Sequence, residues 1–426
     1  MTLSFSVIAG TLYGNRGAEL MLSVAVGRLR DSYPDARFNI FSYMATDDRR
    51  ECTDKTLAIY SASPLALVAL LFPGALLFGA LRKIFGRRVL QLAPSPVRAL
   101  GESACLLDIA GVSFIDGREK FLPFNVLTLW PAMLLGVPVI KLSQALGPIN
   151  SPLNRLAARF ALPGCQHIWA RGEVTYDNLA KSGIAGLMVE CADDLAFLYE
   201  DRYCLSRRAP EAVEDLRRWC EAVRLDTDAR GVIGICPSAV LGGRNAPNGA
   251  IYESRIVTLV NALLADGFAI FIFPNATRSK AGERERNNDL PLIRRIAAQS
   301  THDTTSEKFY CVLEDVNASD IAELIISADV LLVSRFHAMV AALVCHRPVI
   351  VLGWSHKYVE MMQRFDLEYL VHDHRTADSV QLPRLVGDVH ARRDEIKAKI
   401  RRDIVDAKAS SDRQFTLLPR ILQKSE

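Results

Sequence analysis

Apolar residues come along this chain in short runs, separated by longer stretches in which they recur at helical spacing. The first run, Phe-Ser-Val-Ile-Ala-Gly at 5–10, predicts a buried strand. The turn Gly14-Asn15-Arg16-Gly17 follows it. A helix over 18–31 comes next, with Leu22, Val26 and Leu29 on one face. Residues 37–43 predict another strand. After a long apolar stretch the pattern resumes with strands at 105–111, 137–142, 167–171 and 187–191. Helices fit between them at 125–135, 151–160 and 174–181, the last stopped by Gly183. From 198 to 231 the chain turns charged and poor in strands, with one helix over 210–222. A second alternating series then starts, with strands at 232–236, 269–274, 309–313, 330–333 and 349–352. Its helices fall at 251–265, 289–299, 319–327 and 337–345, and 299–308 is a polar loop. Residues 356–365 are helical by pattern. A charged final helix over 386–407 carries Ile396, Ile400 and Ile404 at helical spacing.

Apolar strands alternating with amphipathic helices imply parallel sheets covered on both faces. The expected fold is therefore α/β, with two doubly wound Rossmann-like domains facing a cleft. The boundaries read as 1–200 for the first domain, 201–230 for a connector, 231–380 for the second domain and 381–426 for a C-terminal helix. Ligands of such sheets bind beyond the carboxyl ends of the strands, so functional residues are sought there.

Composition narrows the function classes. Of 426 residues 50% are hydrophobic and 23% charged, which is globular, and a net charge of +3 is too small to argue for nucleic acid. Nine cysteines stand singly with no C-x-x-C pair, so neither a disulfide framework nor a metal site is expected. Cys105, Cys236 and Cys311 lie inside apolar runs and read as core. The N-terminus lacks a basic region followed by a long apolar one, and a cytoplasmic location is expected. One segment complicates this. Residues 56–81 carry no charge, and Arg82, Lys83, Arg87 and Arg88 follow. The length would cross a bilayer, but Pro73-Gly74 is expected to split it into two shorter helices. Those helices either pack on the domain or rest on a membrane, giving a peripheral contact through 56–88 at the inner face of the plasma membrane.

The strongest chemical signal is Val330-Leu-Leu-Val-Ser-Arg-Phe-His-Ala. A strand ends at Ser334-Arg335-Phe336-His337 and a helix begins at once. A guanidinium, an imidazole and unpaired backbone N–H groups at one helix N-terminus suit a small polyanion. His337 is also suited to donating a proton near neutral pH. Equally open is the reading in which Arg335 pairs with a neighbouring acid and His337 caps the helix. The turn at Gly14, Asn15 and Gly17 is a second candidate, since glycines allow a ligand close to the backbone. It is neither G-x-G-x-x-G nor a P-loop, so no dinucleotide or other cofactor is expected. Asp108 and Gln144 sit at strand ends and read first as loop chemistry. The tandem acids Asp193-Asp194 read as a cap or turn. His356 and Lys357 follow a strand end near His337 and are candidate substrate contacts. His372 and His374 read as solvated.

Taken in order, several short pieces resemble the polysaccharide pyruvyl transferase family. They are Gly14-Asn-Arg-Gly-Ala-Glu19, Asp108-Ile-Ala-Gly-Val-Ser-Phe114, Gln144-Ala-Leu-Gly-Pro148 and Ala170-Arg-Gly-Glu-Val-Thr-Tyr176. Ala192-Asp-Asp-Leu-Ala-Phe197, Ser334-Arg-Phe-His-Ala338, Pro348-Val-Ile350 and Gly353-Trp-Ser-His-Lys357 complete the set. The resemblance implies an architecture similar to GT-B glycosyltransferases. It also implies transfer of a pyruvyl group from phosphoenolpyruvate onto two sugar hydroxyls as a ketal, in exopolysaccharide or cell-wall polysaccharide synthesis. The acceptor would be a sugar or a lipid-linked oligosaccharide. Arg335 and His337 would then bind the donor and catalyse, helped by a second arginine, assigned to Arg244 after Pro237-Ser238. Ser238, Ser334, Gly14, Asn15, Gly17, His356 and Lys357 complete the expected substrate site. The rival readings are a glycosyltransferase using a sugar nucleotide and a non-catalytic scaffold of a polysaccharide assembly complex.

Overall fold

The computed structural model describes residues 3–225, 228–243, 248–278, 287–300, 307–353, 355–378 and 381–423. Arg244 and most of the expected loop at 299–308 lie outside them. The chain divides into two compact units. The first holds Met1–Leu12, Ala18–Ser206 and Lys408–Glu426, and the second holds Tyr13–Gly17 and Arg207–Ala407. Two short segments therefore group differently from the boundaries read along the sequence. Residues 13–17 join the C-terminal unit, because Gly17 packs on His337 and Gly14 on Arg278. The last residues join the N-terminal unit, where Ser411 Oγ donates to the Asp194 carbonyl (2.9 Å) and Gln414 Oε1 accepts from Ser143 N (2.7 Å).

The first unit is built on an eight-stranded sheet. Its strands are β1 (Ser4–Ile8), β2 (Arg37–Ser42), β3 (Leu57–Ser61), β4 (Cys105–Asp108), β5 (Val112–Ser113), β6 (Val139–Leu146), β7 (His167–Arg171) and β8 (Val189–Ala192). They run in the order β3-β2-β1-β4-β6-β7-β8, with β5 on β6, and every pairing is parallel. The second unit has β9 (Val232–Cys236), β10 (Ala269–Ile272), β11 (Phe309–Cys311), β12 (Val330–Val333), β13 (Val349–Gly353) and β14 (Val371–Asp373). Their order is β11-β10-β9-β12-β13-β14, the doubly wound arrangement of a dinucleotide fold. Its strands read as continuous apolar runs because both faces are covered: β9, β10, β12 and β13 are buried at every residue.

Four expectations need correction. Residues 56–81 are not a simple apolar insertion, since Leu57–Ser61 is a strand paired in register with β2. Nor does Pro73-Gly74 split the apolar segment after that strand: helix runs without interruption over Pro64–Phe85. The five residues Leu67–Leu71 are wound as π-helix just ahead of Pro73. Such a wider turn absorbs the hydrogen bond that a proline cannot donate. The expected helix at 125–135 is two short ones, Leu122–Leu127 and Trp130–Leu134, the second opening with Pro131 near its start. The single final helix is three, Gln381–Ala391, Arg393–Thr416 and Leu418–Gln423.

Helix Pro64–Phe85 is long and apolar enough to cross a membrane by length and composition. Its connections argue otherwise. The strand before it, β3, and the strand after it, β4, belong to one hydrogen-bonded sheet. One helical face, with Leu67, Leu71 and Ala75, is part of that unit's core. A Cβ at Gly79 would sit against the carbonyl of Leu134, so only glycine permits this close packing.

Candidate active site

In the second unit the strand order reverses between β9 and β12, the place where doubly wound sheets open for a ligand. The two strands pair up to Cys236 and Val333, so Pro237-Ser238 and Ser334-Arg335 leave the sheet side by side. Ser334 N donates to the Cys236 carbonyl (2.9 Å). The hydroxyl of buried Tyr252 fastens both loops, donating to Ser334 Oγ (2.8 Å) and accepting from Ser238 N (3.2 Å). Burial pushes the Tyr252 hydroxyl pKa upward, which keeps it a donor. Ser238 Oγ caps the helix Ala239–Gly242, accepting from Val240 N (3.3 Å). Tyr358 Oη donates to the Ser334 carbonyl (3.2 Å). Ser238 and Ser334 are each 1% exposed, so their side chains hold the loops rather than face solvent.

Arg335 is an ion-paired residue. Its Nε and Nη2 bind both oxygens of Asp289, side-on, with Nε–Oδ2 at 3.2 Å. Burial would lower the pKa of this guanidinium, but the charge and hydrogen bonds of Asp289 outweigh it and raise it. Asp289, fully buried, also accepts from Ala239 N (2.8 Å), Asn275 N (3.1 Å) and Ala276 N (2.9 Å). One carboxylate thus ties the loops after β9, β10 and β12 together and fixes the arginine. Nη1 of Arg335 has no partner among the described residues, so one donor edge is left.

His337 lies in the first turn of helix Phe336–Val344, whose N-cap Arg335 makes no side-chain capping bond. Its ring packs edge-on to Phe336 at 5.3 Å between centroids. Across from it stands Gly17. A Cβ there would lie 2.7 Å from His337 Cε1 and closer still to Nδ1 and Cγ. Gly14, at φ +76°, lies under Arg278, whose Nε and Cγ would be 3.0 and 3.1 Å from a Cβ at that position. The conformation and the crowding both call for glycine at Gly14. Between them Arg16 is buried, donating to Thr277 Oγ1 (2.8 Å) and paired with Asp315, and Thr277 Oγ1 also bonds Asp315. The N-terminal glycine turn and the Ser334–His337 strand end, far apart in sequence, thus meet in one unit. Asn15 is exposed.

Lys357 places its Nζ 4.9 Å from the centre of the Phe336 ring and 5.3 Å from that of Tyr358, where ring faces attract a cation. His356 is exposed at the start of helix His356–Gln363. The sequence pattern did not single out Arg278 or Asp289. Arg278 lies just beyond β10, on the loop at the sheet's open edge, so its position was the available signal. The Arg278 guanidinium makes no hydrogen bond or ion pair among the described residues, and its Nε is buried.

The first unit's family-like pieces form a buried framework. Asp108 pairs with Lys141, both at most 2% exposed, and Asp108 Oδ1 accepts from Ala110 N (2.9 Å). Gln144 accepts from Ser113 Oγ (2.6 Å) and donates to the Asp108 carbonyl (3.3 Å). Arg171 Nη1 pairs with Asp194 at 2.7 Å, and its Nη2 donates to the Gly111 carbonyl (3.1 Å). Asp194 also caps the turn Leu195–Leu198. Gly172, at φ +82°, stands where β7 hands over to helix Glu173–Lys181, a conformation that excludes most side chains. His372 and His374 are both partly buried, in contrast to the solvated placement expected, because β14 joins the sheet beside β13.

Two parallel sheets in doubly wound order, with a charged strand end at the reversal point, define an α/β protein of GT-B-like, two-Rossmann-domain class. Solved structures agree at the level of fold. The S. aureus MnaA–UDP co-structure matches with TM-score 0.58 and 11% identity, covering 99% of this chain and 97% of that one. UDP-GlcNAc 2-epimerase from Neisseria meningitidis matches at 0.56 and 13%, covering 98% and 100%. An E. coli trehalose-6-phosphate structure bound with UDP-2-fluoro glucose matches at 0.55 and 11%, covering 99% of each chain. The sequence model of the polysaccharide pyruvyl transferase family matches residues 15–356, and the chain belongs to that family. Membership makes it a transferase of polysaccharide biosynthesis with a saccharide acceptor.

Proposed function

We propose that this chain transfers a pyruvyl group from phosphoenolpyruvate to two hydroxyls of a sugar, as a ketal, in exopolysaccharide or cell-wall polysaccharide synthesis. The observation that carries the reading is the meeting of the Gly14–Gly17 turn with His337 beside Arg335 and Arg278. Phosphoenolpyruvate carries a carboxylate and a phosphate. The remaining edge of Arg335, Arg278 and Lys357 together supply donors and positive charge for both, at the start of helix Phe336–Val344, where the helix dipole favours an anion. Arg278 here takes the part assigned from sequence to Arg244. Asn15, Gly14, Gly17 and His356 border the substrate, and Ser238 and Ser334 position the loops.

His337, as imidazolium, gives its proton to the methylene carbon of the donor. The adjacent carbon gains cationic character and is attacked by the first sugar hydroxyl. The carbon–oxygen bond to phosphate breaks, and the second hydroxyl attacks the same carbon to close the ketal. Of the two hydroxyl protons released, one restores His337 and the other leaves on the phosphate. General acid catalysis contributes about 10²–10⁴-fold. The enzyme works in the cytoplasm, at the inner face of the plasma membrane, on a sugar or lipid-linked oligosaccharide.

The test is phosphate release from phosphoenolpyruvate with a panel of sugar acceptors, read with the product mass. His337→Ala should lose at least about 10² in rate; undiminished release would remove His337 from its role. A sugar-nucleotide transferase would instead show thermal stabilisation by a UDP-sugar and none by phosphoenolpyruvate.

A further inference from the structure

The exposed side of helix Pro64–Phe85 is apolar. Leu65 is 76% exposed and Ile84 73%, with Val68, Leu76, Leu77 and Phe85 each more than half exposed. Leu92, in the turn beyond, is 80% exposed. Such a stripe on a folded unit marks an interaction surface. It does not end with this helix. Phe72 stacks on Trp130 (5.9 Å between centroids), and Trp130 Nε1 donates to the Phe160 carbonyl (3.3 Å). Phe160 belongs to helix Pro152–Ala161, which buries Asn154, Ala158 and Ala161 and exposes Leu153 (65%), Leu156 (54%) and Phe160 (66%). Exposed Arg155 and Arg159 lie beside them.

Charge identifies the partner. Between Asp54 and Glu102 the chain has six basic residues and no acid. Lys83, Arg87 and Arg88 are exposed at the end of the apolar helix. Three acids lie near, each tied to its own loop, and Glu119 accepts from Gly117 N (3.0 Å) and Ser151 Oγ (3.0 Å). Glu102 accepts from Gln91 Nε2 (2.6 Å), and Asp116 accepts from Asn150 N (2.7 Å), Ser151 N (3.1 Å) and Asn154 Nδ2 (2.9 Å). Apolar side chains rimmed by cations match a bilayer with anionic headgroups, into which such helices settle flat.

We infer that helices Pro64–Phe85 and Pro152–Ala161, bridged by Trp130, form one docking face that rests on an anionic bilayer without crossing it. This deepens the peripheral membrane contact included in the proposed function, adding a second helix that the sequence did not suggest. Shared burial in the bilayer explains why two helices from distant parts of the chain both keep large apolar side chains in the open.

Sedimentation of the full chain with vesicles tests it, using phosphatidylcholine alone and an equal mixture with phosphatidylglycerol. Binding should require the anionic lipid and fall with salt. Lys83→Gln/Arg87→Gln/Arg88→Gln should weaken partitioning by about fivefold per charge, on the order of 10²-fold in all. Leu153→Gln/Leu156→Gln, on the second helix, should weaken it at least about tenfold, since each loses buried apolar area. These side chains are exposed, so circular dichroism should be unchanged. Full binding by the second variant removes helix Pro152–Ala161 from the face, and no binding by the parent chain overturns the whole inference. So does a stable dimer that the same substitutions split. Pyruvyl transfer to a soluble sugar is assayed separately: vesicle binding without turnover rejects the proposed activity and leaves the docking face standing.

Discussion

Replacing Gly17 with alanine adds one methyl group where the His337 ring already is. A Cβ at that position would be 2.7 Å from Cε1, against 3.4 Å for ordinary contact, so the ring must retreat 3.4 − 2.7 = 0.7 Å there and further at Nδ1. Gly17 sits in the first turn of helix Arg16–Ser32 without a left-handed φ, so the backbone tolerates alanine. Helix propensity even favours it by up to about 1 kcal/mol. Overpacking opposes this at about 1–3 kcal/mol, and the net loss of stability should be about 3 kcal/mol or less. The catalytic loss should be comparable, because a displacement near 1 Å of a reacting group can cost about 10²-fold. The assay is a double-mutant cycle with His337→Ala, read by thermal unfolding, with initial rates measured on the single variant. If the clash is with the imidazole, Gly17→Ala should cost little stability once the ring is gone. Equal destabilisation in both backgrounds, or full activity in Gly17→Ala, would refute the contact as the reason for glycine.

Asp289→Asn should strip Arg335 of its counter-charge and leave an amide facing backbone N–H donors, costing about 3–5 kcal/mol. Its melting temperature should fall by roughly 6 °C or more, and an unchanged value would show that Asp289 is not the clasp of the three loops. His372 has its pKa lowered by burial, so the unfolded chain takes up a proton more readily than the folded one. Stability should therefore fall as pH drops below the ordinary histidine value of about 6.5. His372→Gln should flatten that slope in thermal melts across the same range, and a parallel slope would assign the pH dependence elsewhere.

The strands 232–236 and 330–333 were legible to the residue because buried parallel strands read as short continuous runs without polar side chains, and 167–171 because Ile168-Trp-Ala170 is such a run between His167 and Arg171. Leu57–Ser61 was not, since the uncharged run over 56–81 reads as one segment, although Ser63 caps the helix that follows and Pro64 opens it. Pro73 misled for the opposite reason: a breaker was visible, but the π-turn that accommodates it was not. The site divides the same way. His337 and Arg335 announce themselves by following a strand and opening a helix. The partner of Arg335 lies 46 positions away, and only the fold brings Asp289 to it. Nothing in the turn at Gly14–Gly17 states that its glycines clear space for His337 and Arg278.

That long-range pairing also decides which charges remain for a ligand. Arg16 is committed to Asp315 and Arg335 to Asp289, so each pair adds little net charge to the site. Arg278 has neither a carboxylate nor any other side-chain partner among the described residues, and the crowding over Gly14 holds its stem in place. On the proposed reading, a donor carrying a carboxylate and a phosphate therefore draws its counter-charge chiefly from Arg278, while Arg335 contributes directed hydrogen bonds. Arg278→Met should raise the KM for phosphoenolpyruvate by about tenfold or more, the value of a charged hydrogen bond, with little change in melting temperature. Arg16→Met should do the reverse, lowering stability because it leaves Asp315 without its cation. If Arg278→Met binds the donor as well as the parent chain, the cation that meets the donor is another residue, and the division of charge drawn from these two ion pairs is wrong.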